Sequence, residues 1–453
     1  LFFKIFSDSE EELELMQDDY RSPIPERLRW KNWAADPEGM TGDELLEFVN
    51  NDLFKTLKNL SLDGDQTGRG AVVRGVFEDA INYMKSGHLM RQVINKVNEV
   101  DFNNSKDRHL FGDIYEQILR DLQAAGNAGE FYTPRAVTQF MVEMVDPRLD
   151  EHVFDPACGT GGFLTGALEH MRQQERTKED REKWQKNIVG IEKKALPHLL
   201  CVTNMMLHGV EVPTNVQHRN TLARSLANYT SQDRVDVIMT NPPFGGIEED
   251  GVEKGFGSYK TKETADLFLV LIMHLLRDGG RAAIVLPDGT LFGEGVKTRI
   301  KEKLLTECDL HTIVRLPNGV FNPYTGIKTN LLFFTKGKPT SEVWYYEHPY
   351  PPGSKSYSKT KPIRLEEFQP ERDWWTNREE TPQAWRVSID QIRAANFNLD
   401  IKNPHQSDEE ESDVEALIAR HIEIEEAVSR TRERLKGELE EALFATSTAQ
   451  RIS

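Results

Sequence analysis

The 453 residues, 38% hydrophobic and 29% charged, suffice for a large core and have the balance of a globular chain rather than a low-complexity one. No apolar run nears the ~18 residues that span a bilayer and no basic-then-apolar leader is present; three scattered cysteines (Cys158, Cys201, Cys308) exclude a disulfide scaffold and a cysteine-based zinc site, so a reducing cytoplasm and no membrane or metal are expected. The net charge of −18, from 56 Lys+Arg against 74 Asp+Glu, argues against unaided DNA binding, which rewards a basic surplus, and leaves open a basic groove or a partner that supplies the grip.

Leu1-Phe2-Phe3-Lys4-Ile5-Phe6 reads as the end of a helix, so further residues are expected before it. Residues 1–125 carry helical signals. Ile81, Met84, Leu89, Val93, Ile94 and Val97 recur near helical spacing, as do Ile114, Ile118 and Leu119 between Phe111 and Leu122. Gly64–Gly70 reads as a loop. An N-terminal helical domain is expected here.

Over 126–340 short apolar runs alternate with amphipathic stretches. The expected strands are His152–Pro156, Asn187–Glu192, Val216–Asn220, Val235–Thr240, Arg281–Leu286, Leu310–Leu316 and Thr329–Thr335. Helices are expected from Pro134, whose ring suits a first turn, and over 161–173, 194–208, 264–277 and 295–306. The alternation predicts an α/β domain with a seven-stranded, mostly parallel sheet covered on both faces. Residues 341–407, rich in Pro, Tyr and Trp, show no clear period and are expected to be an irregular extension. After the acidic run Asp408–Glu411, residues 408–453 place Val414, Leu417, Ile418, Val428, Leu435, Leu439 and Leu443 close to a heptad seam among charged neighbours. Such a stripe fits a helix that docks on a partner, or one that packs back on its own domain.

The segment Phe154-Asp155-Pro156-Ala157-Cys158-Gly159-Thr160-Gly161-Gly162-Phe163-Leu164 joins the first strand to a helix. Glycines there let the backbone turn tightly and approach a ligand with no Cβ between, although a structural turn looks the same. Two acids sharpen the reading: Asp155 at the end of the first strand and Glu192 at the end of the second, where a carboxylate can accept from both ribose hydroxyls. The Asp155–Glu192 spacing exceeds the ~20 residues of a nicotinamide fingerprint, and no Lys-Ser/Thr follows the glycines as in an ATP-binding loop. An adenosine ligand without a phosphate chain fits better. Cys158 lacks a sequence-neighbouring His to activate it and is not read as a nucleophile.

Val235–Thr240 runs into Asn241-Pro242-Pro243-Phe244-Gly245-Gly246 at a strand's carboxyl end, where open α/β sheets bind ligands. Two prolines fix the backbone; the Asn241 side-chain oxygen and the Pro242 carbonyl can accept from an exocyclic amine and leave its lone pair free, and Phe244 can stack on the same base. A rigid turn with an aromatic plug is the plain alternative, and the preceding Gly loop and ribose acid count against it.

These residues resemble the S-adenosylmethionine-dependent amino-group methyltransferases. Asn241, Pro242, Pro243 and Phe244 match the catalytic motif of DNA N6-adenine methyltransferases, and Asp155–Leu164 their Rossmann-like cofactor loop. Upstream, Gly129-Glu130-Phe131-Tyr132-Thr133-Pro134-Arg135 matches the segment that holds the methionine end, in the order of the gamma group. Arg-Asn-Thr-Leu (219–222), Ala-Asp-Leu-Phe-Leu (265–269), Val-Leu-Pro-Asp-Gly-Thr-Leu-Phe (285–292) and Gly-Ile-Lys-Thr-Asn-Leu-Leu-Phe-Phe (326–334) narrow the resemblance to the modification subunits of type I restriction–modification systems.

The resemblance implies catalytic roles for Asn241, Pro242, Pro243 and Phe244. It implies cofactor contacts from Glu130, Phe131, Tyr132, Thr133, Pro134, Arg135, Asp155, Ala157, Cys158, Gly159, Thr160, Gly161, Glu192, Asn220 and Thr221, with Asn220 standing where many relatives carry an adenine-binding Asp. It further implies two modification subunits with one specificity subunit, a restriction subunit that can join, and double-stranded DNA with a flipped adenine. Phe321 and Tyr324 could wall the base pocket or simply pack their loop. A self-sufficient solitary or type II adenine methyltransferase is a second reading, opposed by the lack of an evident target-recognition domain. A non-enzymatic assembly module is a third, opposed by the intact motifs.

Overall fold

The computed structural model describes residues 1–405 except 63–67, 103, 125–131, 212, 323–324, 355 and 359, together with Arg432. It divides into two compact units, Leu1–Lys402 and Asn403–Ser453. Among the described residues no helix is long and apolar enough to cross a membrane. The apolar seam expected between Val414 and Leu443 lies outside the described residues.

Strands β1 (Val153–Asp155), β2 (Ile188–Glu192), β3 (Val216–His218), β4 (Val235–Thr240), β5 (Leu276–Pro287), β6 (Cys308–Leu316), β7 (Thr329–Lys336), β8 (Glu342–Glu347) and β9 (Ala384–Ser388) form one sheet in the order β3-β2-β1-β4-β5-β7-β6-β8-β9. Neighbours from β3 to β5 are parallel, as are β6 and β8, while β7 runs against β5 and β6, and β9 against β8. The sheet thus has nine strands where seven were expected. The two extra ones come from the stretch expected to be irregular. Val343, Tyr345 and Tyr346 are buried, and Tyr345 stacks on Trp385 of the adjoining strand with ring centroids 5.3 Å apart. Crowded aromatics favour a strand through such cross-strand pairs without producing a clean alternation.

Along the central strands alternate residues enter two cores. Val237, Met239, Ala283, Val285, Leu331 and Phe333 face one side, against the helices Arg135–Val145, Gly162–Arg172 and Ala195–Leu207 and the N-terminal helices. Ile238, Ala282, Ile284, Leu332 and Phe334 face the other, against the helices Thr264–Leu275 and Val296–Glu307. Apolar burial on both faces is why these strands read as near-continuous hydrophobic runs.

The N-terminal residues are helical, beginning with Phe2–Met16. The periodic residues mark two of these helices and include both buried and exposed positions. In Gly87–Asn98, Met90 and Ile94 are buried while Leu89 and Val93 are exposed, and Ile81 precedes the helix. In Ser105–Ala124, Tyr115 and Leu119 are buried while Ile114 and Ile118 are exposed. In each helix two apolar stripes lie a residue apart, so spacing alone could not choose between them.

β2 passes directly behind the loop that follows β1. A Cβ on Gly190 would stand 2.5 Å from Leu164 Cδ1 and 3.1 Å from Cys158 Sγ. Gly190→Val should therefore destabilise the protein by about 1–3 kcal/mol through overpacking. Thermal denaturation checks this, and an unchanged midpoint would mean that the strand and loop are less tightly apposed.

Candidate active site

Parallel strands deliver their carboxyl ends to one edge, where a cleft of about 250 Å³ opens. β1 ends at Asp155, which is 1% exposed, and β2 at Glu192, 6% exposed. Between them the chain turns through Gly159 (φ 53°) and Gly161 (φ 84°), the latter leading into the helix Gly162–Arg172. Gly161 is required twice over, because its φ disfavours other residues and a Cβ would lie 2.8 Å from Cys201 Sγ.

Backbone donors orient both carboxylates. Ala157 N–H donates to Asp155 Oδ1 at 3.1 Å. Gly159 N–H donates to Glu192 Oε2 at 3.0 Å, and Lys194 N–H to Oε1 at 2.7 Å. Burial nevertheless pushes the Asp155 carboxyl up to about 7, with the Glu192 charge adding to the rise. Burial also raises Glu192, against the pull of the Lys194 and Gly159 N–H groups. Contact with Cys201, whose Sγ lies 3.8 Å away, and burial push the Cys158 thiol upward, which suits a packing residue better than a nucleophile.

Asn241 enters the same cleft from the end of β4. Its Nδ2 donates to Thr133 Oγ1 at 3.0 Å, and its Oδ1 is buried without a hydrogen-bond partner among the described residues. A buried acceptor left open is costly and marks where a donor is to arrive. Phe244, half-buried, meets the ring of Phe321 edge-on at 6.0 Å. Phe321 is only 2% exposed, so it backs Phe244 rather than facing it across an open pocket.

Of the residues singled out from the sequence, Thr133, Asp155, Ala157, Cys158, Gly159, Glu192, Asn241 and Pro243 come together around this cleft. Tyr132, Pro134 and Arg135 line a neighbouring cavity of about 440 Å³. Arg135 Nε donates to Glu116 Oε2 at 2.7 Å, and Nη1 to Gly162 O and Thr165 Oγ1, each at 2.9 Å, so its guanidinium holds the glycine loop from behind. Thr160 is held through its carbonyl by Asn204 Nδ2 at 3.0 Å, and Thr221 Oγ1 donates to Pro156 O at 2.6 Å. Gly161, Pro242, Phe244 and Asn220 stand beside the cleft without lining it. Glu130, Phe131 and Tyr324 lie outside the described residues.

The spacing did not single out the remaining lining residues Lys193, Lys194, Gly246, Ile247, Glu248 and Thr264. The only signal was the Gly245-Gly246 pair, a turn mark that brings the next residues back over the cleft.

The Asp155 shift fixes a pH dependence. A carboxyl at 3.8 when unfolded and about 7 when folded binds one more proton in the native state between those values. The stability it contributes is present below about pH 4 and lost as pH rises through 7. Compared with Asp155→Asn, the wild-type protein should lose stability from about pH 5 with a slope approaching one proton, and the loss should level off above about pH 7. Denaturant unfolding of both proteins across that range checks it; parallel profiles would place the Asp155 titration elsewhere.

Residues 106–413 match the family model of N-6 DNA methylases, and residues 1–97 that of the HsdM N-terminal domain. The chain is 63% identical over 458 residues to the type I restriction enzyme EcoEI methylase subunit of Escherichia coli, covering 99% of this chain and 93% of that one. It is 29% identical to the EcoKI methylase subunit of E. coli K12, covering 85% and 75%. Among solved structures, a modification subunit of a type I restriction enzyme from Vibrio vulnificus superposes with a TM-score of 0.79 at 45% identity, covering 91% of each chain. A chain from a structural study of type I restriction–modification complex assembly gives 0.83 at 38% identity, covering 97% and 92%. This chain belongs to the N-6 DNA methylases and, within them, to the modification subunits of type I restriction–modification systems.

Proposed function

We propose that this chain transfers a methyl group from S-adenosylmethionine to N6 of adenine in DNA, as the catalytic subunit of a type I restriction–modification enzyme. The observation that carries the reading is Asn241 Oδ1, a buried acceptor without a partner among the described residues, in the cleft that also holds Asp155 and Glu192. The names of its relatives, methylase and modification subunits, support it.

The cleft residues fit the cofactor's chemistry: oriented carboxylates, and glycines that leave the backbone bare. Bound there, S-adenosylmethionine supplies an electrophilic methyl group on a sulfonium. Glu192 keeps lone pairs beyond those used by Gly159 and Lys194, and these can take the ribose hydroxyls. Asp155, raised by burial, regains its charge most readily beside a cation. Thr133 holds the amide nitrogen of Asn241, so the oxygen is the end that accepts. With the Pro242 carbonyl it can accept hydrogen bonds from both N–H groups of the target amine, which leaves the lone pair free for attack and favours the positive charge that develops; the methylated N6 then sheds one proton to solvent. The base is its own nucleophile, so the enzyme contributes position and electrostatics. Extruding the adenine costs a few kcal/mol, which stacking on Phe244, worth ~1–3 kcal/mol, partly offsets.

The net charge of −18 favours a division of labour in which a specificity subunit grips DNA for two copies of this chain, with a restriction subunit joining to form the nuclease in the cytoplasm.

In the complex with the specificity subunit, Asn241→Ala and Phe244→Ala should lower tritiated methyl transfer to cognate DNA by about 10²-fold or more while leaving cofactor affinity nearly unchanged. Glu192→Ala should weaken cofactor binding by ~1.5–3 kcal/mol by calorimetry. Near-normal turnover in Asn241→Ala would sink the proposed chemistry.

A chain truncated before Asp413 should still bind cofactor but fail to co-purify with the specificity subunit. If it assembles, or if the full chain alone methylates a defined site efficiently, the self-sufficient enzyme is the better description.

A further inference from the structure

The segment that follows Phe244 also lines the cleft and takes no part in the proposed methyl transfer. After Phe244 the chain turns at Gly245 (φ 65°) and Gly246 and runs back beside Lys262–Thr264. Thr264 N–H donates to Gly246 O and Glu248 N–H to Lys262 O, both at 2.9 Å, while Ile247 pairs with Glu263. A Cβ on Gly246 would meet Thr264 Oγ1 at 2.6 Å, so the turn sits tight. This short antiparallel strap presents Ile247, 77% exposed, and Glu248, 8% exposed, to the cleft.

The Glu248 carboxylate is held from two sides. Its Oε2 accepts from Lys193 Nζ at 3.0 Å and from Asn220 Nδ2 at 2.9 Å. Its Oε1 has no hydrogen-bond partner among the described residues. Asn220, expected to meet an adenine, has both ends engaged: Oδ1 accepts from Leu222 N–H at 3.0 Å, and Nδ2 is the donor to Glu248. Lys193 directly follows Glu192, so the ion pair holds Glu248 in the same cleft beside the acid read as the ribose partner, within range of a base joined to that ribose.

We propose that Glu248, rather than Asn220, reads the adenine of the cofactor, its Oε1 accepting from the 6-amino group while Ile247 covers the ring face. The inference rests on the S-adenosylmethionine reading above. Asn220 and Lys193 are then positioning residues that aim the carboxylate. A carboxylate only accepts, so it selects a base with an amino group at that position.

Calorimetry on the full chain tests this with S-adenosylhomocysteine and its 6-desamino analogue, which carries hydrogen in place of the amino group. The wild-type protein should prefer the amino form by about tenfold or more. Glu248→Ala should weaken the amino form by about that factor and leave the desamino form within about twofold, bringing the ratio near one; Glu248→Gln, which keeps an acceptor oxygen, should retain part of the preference. An unchanged ratio in Glu248→Ala overturns the assignment, and so does equal weakening of both ligands, which reports only a displaced wall. Failure of the wild-type protein to bind S-adenosylhomocysteine overturns the cofactor reading instead.

Discussion

The site depends first on how the Arg135 guanidinium is satisfied. It bonds Glu116 on the helix Ser105–Ala124, and Gly162 O and Thr165 Oγ1 on the helix that follows the glycine loop. Burial opposes its charge, and Glu116 more than restores it. Such an ion pair is costly to break from one side, because the partner is left uncompensated in a poor solvent. Two residues earlier, Thr133 fixes the amide of Asn241. One short segment thereby aligns the N-terminal helices, the glycine loop and the end of β4.

The carboxylates add a second constraint. β1 and β2 are parallel neighbours, with Asp155 opposite Gly190, so both acids emerge on one edge and feel each other there. A purely structural turn would have no use for two acids held where burial raises both. Their arrangement is unfavourable until donors or a cation reach them, which is how a preorganised site differs from a relaxed one.

How much of this could be read from the sequence follows from the range of the interactions. β4 was legible residue for residue, because Val237, Ile238 and Met239 form an apolar run buried on both faces and two prolines follow soon after Thr240. The glycine loop and its two acids were legible because strand ends and turns are local. β8 and β9 were not: their stability lies in cross-strand contacts such as Tyr345 with Trp385, between residues far apart in sequence. Nor were the duties of Arg135 and Asn220, whose partners Glu116 and Glu248 are distant in the chain. Residue types announced a polar role for each; only the fold says to what they bind.

The reversed strand β7 carries a consequence for how such enzymes diversify. Lying between β5 and β6 and antiparallel to both, it brings the connection from Leu316 to Thr329 back to the carboxyl edge, where Phe321 touches Phe244. Both ends of that connection are clamped by central strands, paired from Cys308 with Lys336 through to Leu316 with Thr329. Val320 and Phe321 are tied to the core, whereas Gly326, Ile327 and Lys328 are exposed, so that stretch can change, by drift or by design, with least cost to the scaffold beneath. The fold offers a replaceable rim beside a fixed chemical floor.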